Sequence, residues 1–267
     1  MAKDIQVLII EDDPYARDLM TLLLTRDWRT HVIGEIANQH ELRNFIDEYH
    51  PPVDVVIVDT EIPGEPDLPF ILTEILGQLP KKPSILYTGT QPNGRILDRL
   101  VQIGFGGYVI KRELLYALGS AVAAVARGDC VITPGVYAIA SRYAISREAY
   151  IYSGSRIEDL FTRRESELVR LALIFNLSIR DMADELVLSP EWVSEVVSGV
   201  YKKLGLREIL SGEIPMDEYF SDPAVLERCQ EITQRTQTTL ADGRLRKAPW
   251  MSTLAFHILT RPRIEKY

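Results

Sequence analysis

The chain has 267 residues, 46% of them hydrophobic and 25% charged, with a formal net charge of −8. That is an ordinary globular composition, long enough for two domains, and it excludes a generally basic nucleic-acid coat protein. Neither Cys130 nor Cys229 begins a CxxC pair, and no apolar run approaches the roughly 18 residues of a membrane span. With no secretory segment either, the chain is expected to be cytoplasmic, with both thiols reduced.

The acidity is uneven. Residues 1–130 carry 12 Lys/Arg against 19 Asp/Glu, whereas the end of the chain is basic, with Arg244, Arg246, Lys247, Arg261, Arg263 and Lys266 against Glu265 alone. In chain order, Ile5–Ile10 reads as a buried strand running into Glu11-Asp12-Asp13-Pro14, and Leu19, Leu22 and Leu23 recur at helical spacing. A strand over 30–34 and an amphipathic helix over 40–49 follow, ended by Pro51-Pro52. Val55 to Val58 form an unbroken β-branched run into Asp59, with a Pro63-Gly64 turn just beyond. Such a run suits a strand covered on both faces of a parallel sheet. Residues 70–79 predict a helix, 84–89 a strand, 96–103 a helix, 107–111 a strand and 114–127 a closing helix. Strand and helix alternate five times, which predicts an α/β, doubly wound, five-stranded parallel sheet.

A parallel sheet brings all strand C-termini to one edge, where such folds bind ligands. That edge receives Glu11 and Asp12, Asp59, Thr88 and Lys111. Clustered carboxylates repel one another, and a hard divalent cation such as Mg²⁺ relieves that repulsion. A hydroxyl and an ammonium beside them suit the oxygens of a phosphoryl group, and a carboxylate is itself a nucleophile toward phosphorus.

The elements Ile9-Ile-Glu-Asp-Asp-Pro14, Asp59-Thr-Glu-Ile-Pro-Gly64, Tyr87-Thr-Gly89 and Gly107-Tyr-Val-Ile-Lys111 resemble, in order and separation, the receiver domain of two-component response regulators. The resemblance implies that Asp59 is the phosphoacceptor for a histidine kinase or phosphotransfer protein. It implies that Mg²⁺ is held by Asp12, Asp59 and the backbone carbonyl of Glu61, with Glu11 acting partly through water. Lys111 would neutralise the phosphoryl charge, Thr88 would swing to bond it, and Tyr108 would turn inward as the readout. Any catalysis would be limited to self-phosphorylation and release; no GxxxxGK[ST] loop supports an independent nucleotide hydrolase. Two features depart from the family. Glu65-Pro-Asp-Leu-Pro69 replaces the usual Gly-containing turn, and Arg112 stands where many receivers place Pro after the lysine.

Residues 130–155 carry Tyr137, Tyr143, Tyr150 and Tyr152, more aromatics than a free linker, and read as a helix-bearing connector packed on a domain surface. From Ile157 the pattern is helical. Thr162-Arg-Arg-Glu165 is a capping box, Ser178 caps a second helix and Ser189-Pro190 a third, which together make a helix-turn-helix pattern. Leu160-Phe-Thr-Arg-Arg-Glu165, Leu177-Ser-Ile-Arg-Asp-Met-Ala183 and Val200-Tyr-Lys-Lys-Leu-Gly-Leu206 resemble the LuxR-type domain, and the combination resembles the NarL/FixJ-like class. In its recognition helix the family usually presents Thr-Val-Lys and then His. Here Trp192-Val-Ser194 stands between Glu191 and Glu195, which leaves Ser194, Lys202 and Lys203 as the candidate DNA contacts.

The expected division is therefore a receiver at 1–129, a connector at 130–155, a helix-turn-helix domain at 156–207 and a helical extension at 208–267. The extension shows Asp222-Pro223 opening a helix through Cys229, Ile232 and Leu240 to Gly243, and Pro249 opening a last one with Trp250. Two functions stay open on sequence grounds. One is a dimeric, phosphorylation-controlled transcription factor whose basic tail supplements the recognition helix. The other is a phosphorylation-gated module presenting Trp192 and Trp250 to a protein partner.

Overall fold

The structure, a computed structural model, describes residues 4–49, 52–103, 106–140, 149–154, 157–220, 222–223, 225–231 and 249–266. The chain divides into two compact units. Ile232, Leu240, Gly243, Arg244, Arg246, Lys247 and Tyr143, singled out above, lie outside the described residues, as do the surroundings of Trp250.

The first unit spans residues 3–25, 29–155 and 262–267 and is built on one sheet. Its strands are β1 (Ile5–Ile10), β2 (Thr30–Ile36), β3 (Val55–Asp59), β4 (Ser84–Gly89) and β5 (Gly107–Ile110), all parallel, in the order β2-β1-β3-β4-β5. Helices α1 (Pro14–Arg26), α2 (Gln39–Tyr49), α3 (Leu68–Leu76) and α4 (Gly94–Ile103) connect them. Strand residues of one parity, Leu8, Ile10, Val56, Val58, Tyr87 and Tyr108, form one core with Leu42 and Ile46 of α2 and Leu68 and Leu72 of α3. Every residue of β3 is buried, as an apolar run covered on both faces requires.

The doubly wound expectation holds, but the sheet is larger and not wholly parallel. Among the described residues it has eight strands. β6 (Cys130–Ile132) pairs parallel to β5, and β7 (Ala149–Ser153) parallel to β6. β8 (Arg263–Lys266) closes the edge antiparallel to β7. The stretch read as a helix-bearing connector thus supplies two strands besides a helix, α7 (Pro134–Ala140). The extension is likewise not helical to its end, because its last residues are a strand. Gly107 permits the β5–β6 approach: a Cβ there would lie 2.5 Å from the Val131 carbonyl oxygen.

Two local expectations also change. On α1 the buried face is Met20, Leu23 and Leu24, while Leu19 is exposed, so the helix is rotated from the Leu19/Leu22/Leu23 reading. The closing helix does not run on from Leu114. A short α5 (Lys111–Leu114) is followed by a 3₁₀ turn (Leu115–Ala117) and then α6 (Leu118–Ala126). The break falls at Leu115, whose φ is +47°.

The second unit comprises residues 26–28 and 156–261. It holds α8 (Ile157–Leu160), α9 (Arg163–Val169), a π-helical turn (Arg170–Ile174), α10 (Ile179–Leu186), α11 (Pro190–Lys203), α12 (Leu206–Ser211), α13 (Met216–Tyr219) and α14 (Pro249–Leu259). The caps fall where the sequence puts them. The Thr162 side chain accepts the Glu165 amide while Glu165 accepts that of Thr162, a closed capping box. Ser178 and Ser189 accept the amides of Asp181 and Trp192. Val193, Val197 and Val200 bury the inner stripe of α11. Val187, in the turn before it, takes a left-handed conformation at φ +54° and is 89% exposed.

Candidate functional site

Register decides which residues meet at the carboxyl edge. Ile10 pairs with Val58, so Glu11 and Asp12 leave β1 beside Asp59. Asp59 pairs with Thr88, and Gly89 with Ile110, which puts Lys111 one residue beyond the opposite strand end. One ligand oxygen from each of Glu11, Asp12 and Asp59 falls within 4.8 Å of the others, the spacing of a cation site.

Lys111 ties the cluster together. Its ammonium lies 2.7 Å from Glu11 Oε2 and 3.0 Å from Asp59 Oδ2. The other Asp59 oxygen accepts the Glu61 amide at 3.2 Å. Burial is the main influence on Glu11 and pushes its carboxyl up to about 7, with Lys111 pulling the other way. Burial would lower Lys111, but the hydrogen bond to Glu11 and the charge of Asp59 hold it above the usual ammonium range. Glu11 Oε1 is buried and has no hydrogen-bond partner among the described residues. A buried carboxylate with an unpaired oxygen, in a cluster with two other carboxylates, is a group that a hard cation would satisfy, so the donor set fits a metal ion.

Around this centre lies a second ring of contacts. Thr88 is buried and its hydroxyl donates to the Val58 carbonyl over a long 3.4 Å. Tyr108 is wholly buried, and its hydroxyl donates to the Gln91 carbonyl at 3.2 Å and accepts the Asn93 amide at 3.3 Å. The tyrosine is therefore already turned inward and pinned to the loop after β4. Burial raises its hydroxyl above the ordinary phenol range, while the neighbouring Thr60 side chain and the Asn93 amide pull it back.

Sequence reasoning passed over Thr60. Its hydroxyl donates to the Thr88 carbonyl at 3.0 Å, and its amide donates to the same oxygen at 2.9 Å. Glu61 reaches across to accept the Thr90 amide at 3.0 Å. Glu65, in the unusual turn, accepts the Gln39 amide at the start of α2 with both oxygens, at 3.0 and 2.9 Å. An acid at that position was the only signal, and its target depended on the fold.

The candidate DNA contacts stand apart from one another in kind. Lys202 is exposed and Ser194 half-buried. The ammonium of Lys203 is held by the Glu165 carboxylate at 2.7 and 2.8 Å and lies 5.7 Å from the Phe161 ring centre. Glu191 and Glu195 are exposed on the same helix, and Trp192 is half-buried. Arg263 and Lys266, from the basic tail, are exposed on β8 at the edge of the sheet.

Residues 7–123 match the family of response regulator receiver domains. The chain is 24% identical over 208 residues to the Fimbriae Z protein of Salmonella typhimurium, covering 78% of this chain and 94% of that one. It is 27% identical over 202 residues to the transcriptional regulatory protein UhpA of the same organism, covering 76% and 92%. A shorter match, 32% identical over 132 residues, links it to a probable transcriptional regulatory protein, SgaR, of Hyphomicrobium methylovorum, covering 48% and 59%. Among solved structures, RcsB of Salmonella enterica serovar Typhimurium, bound to a promoter with a phosphomimetic, aligns at 22% identity and a TM-score of 0.46. That alignment covers 76% of this chain and 93% of that one.

Proposed function

We propose that the chain is a response regulator of the NarL/FixJ-like class, that its receiver-like region at residues 7–123 accepts a phosphoryl group on Asp59, and that it regulates transcription through its helical unit. The observation that carries this is the Lys111 bridge, 2.7 Å from Glu11 and 3.0 Å from Asp59, over three converging carboxylates. In this reading a histidine kinase or phosphotransfer protein presents a phosphohistidine. An Asp59 carboxylate oxygen forms the new O–P bond as the P–N bond breaks and the imidazole leaves. Lys111 neutralises charge on the transferred group, and the Thr88 hydroxyl exchanges the long bond to Val58 for one to the phosphoryl oxygen. Glu11, Asp12, Asp59 and the Glu61 carbonyl would hold Mg²⁺, which neutralises phosphoryl charge when bound.

Relatives bearing the name of transcriptional regulators support a transcriptional output, which this reading assigns to DNA binding by a homodimer through the helical unit. Lys202 and Ser194 are then the candidate contacts on α11. Genome-wide DNA capture with the wild type and Asp59→Asn in parallel tests the whole reading. The expected result is a set of specific sites enriched in the phosphorylated wild type and lost in the variant. No enrichment over bulk DNA would overturn it.

A second reading has a specific observation behind it. The exposed Glu191 and Glu195 repel phosphates, and Lys203 is occupied by Glu165. An α11 poor in free donors suits a protein partner instead of DNA. Phosphorylation-dependent association with a purified protein and no DNA enrichment would favour that alternative.

A further inference from the structure

The corner that carries Lys111 is held from outside the five strands of the phosphorylation site. Ile110, the residue before the lysine, donates its amide to the Thr133 hydroxyl at 3.0 Å. Thr133 is wholly buried and follows β6, whose ladder with β5 ends at the Tyr108–Ile132 pair. Without that hydroxyl, a buried amide would have no partner at the end of the ladder.

Glu113, two residues after the lysine, is gripped twice. Its carboxylate accepts the Gly135 amide at 2.8 Å, and its carbonyl accepts the Gly154 amide at 2.7 Å. A Cβ on Gly135 would lie 2.5 Å from a Glu113 carboxylate oxygen, so a larger residue there must push the carboxylate aside. Lys111 thus sits between two residues that are both fastened to 130–154.

Two features say that the corner needs such fastening. Arg112 follows the lysine, so no proline ring restrains the chain there. Leu115, just beyond, is held at φ +47° and ψ −121°, a conformation that a non-glycine residue keeps only when its surroundings impose it. The ammonium, meanwhile, must meet two carboxylates at once, at 2.7 and 3.0 Å. A shift of the corner by about 1 Å would part it from one of them, and misplacement on that scale can cost about 100-fold in rate.

We propose that Thr133 and Glu113 are positioning residues for Lys111, and that the added strands β6 and β7 serve phosphoryl transfer by fixing its corner. This rests on the reading of Asp59 as phosphoacceptor. Neither residue touches the phosphoryl group; each acts through the backbone of β5 and α5.

The test uses the full-length protein with Mg²⁺ and acetyl phosphate, a donor whose P–O bond to acetate breaks as Asp59 bonds phosphorus. Phosphorylation rates are measured for wild type, Asp59→Asn, Thr133→Val, Thr133→Ser, Glu113→Ala and Glu113→Gln, at temperatures where melting curves show each folded. The expected result is a fall of about ten-fold or more in the rate at saturating donor for Thr133→Val and Glu113→Ala. Thr133→Ser and Glu113→Gln, which keep an acceptor oxygen, recover most of it. Gly135→Ala, which favours helix yet displaces Glu113, falls with the first pair. Wild-type rates in folded Thr133→Val and Glu113→Ala would overturn the proposal, as would equal losses in the acceptor-keeping variants. If wild type itself gains no phosphoryl group that Asp59→Asn lacks, the phosphoacceptor reading fails and this inference with it.

Discussion

The ammonium of Lys203 lies 2.7 Å from one oxygen of Glu165 and 2.8 Å from the other, and that glutamate closes the capping box of α9. A lysine at the end of a nominal recognition helix is thereby spent inside its own unit. The partnership also holds the Glu165 carboxyl below the ordinary carboxylate range. Exposed ion pairs contribute only about 0.2–1 kcal/mol, so the structural effect of losing it is small. Its effect on ligand binding is the sharper readout. If α11 meets DNA, Lys202→Ala should lower the slope of log affinity against log salt by about 0.9, and Lys203→Ala should leave it unchanged. Equal losses of slope in a salt titration would show that Glu165 releases Lys203 to phosphate.

Thr60 links the strand carrying Asp59 to the strand carrying Thr88, and its hydroxyl is buried. Thr60→Val keeps the volume but leaves the Thr88 carbonyl with the Thr60 amide alone. Thermal and denaturant unfolding should show a loss of about 1–2 kcal/mol, while Thr60→Ser stays near wild type. A Thr60→Val protein as stable as wild type would mean that the hydroxyl pair adds nothing.

Glu11 makes the stability of the metal-free protein depend on pH in an unusual direction. Its folded carboxyl is raised to about 7 from an ordinary 4.5, so the folded state binds more protons than the unfolded state between those values. This contribution to stability is therefore full at low pH and is lost as pH rises through about 7. In EDTA, the Tm of wild type should decline over that window relative to Glu11→Gln. Added Mg²⁺ should restore more stability at pH 8 than at pH 5.5. A Tm difference between the two proteins that is flat with pH would remove Glu11 as the source.

Gly107 faces the Val131 carbonyl oxygen across the β5–β6 ladder, and a Cβ would approach it to 2.5 Å. Because the obstacle is backbone, Gly107→Ala cannot be relieved by a side-chain rotation. A loss of about 1–3 kcal/mol in denaturant unfolding is expected. An unchanged midpoint would show that β6 separates from β5 at little cost.

How much of this could be read in advance follows from the range of each interaction. The site edge was legible because five strand ends of a parallel sheet must share one side, and Glu11, Asp12, Asp59, Thr88 and Lys111 all sit at strand ends. The caps at Thr162, Ser178 and Ser189 were legible because each reaches only three residues along the chain. The helical face of α1 was misjudged, since neighbouring leucines at 22, 23 and 24 allow more than one phase and tertiary packing chose Met20, Leu23 and Leu24. Strand β8 was missed because all four of its residues are exposed, leaving no alternation to read.

By itself the sequence determined the alternating α/β pattern, the acidic edge with its lysine, and the helix starts of the second unit. Each of those depends on local spacing or on a rule that every parallel sheet obeys. Only the tertiary structure decided that Tyr108 is pinned inward, that Lys203 is engaged by a glutamate 38 residues away, and that Thr133 and Glu113 fasten the Lys111 corner. Those are pairings between distant segments, set by which strand lies next to β5, and no local period encodes a neighbour.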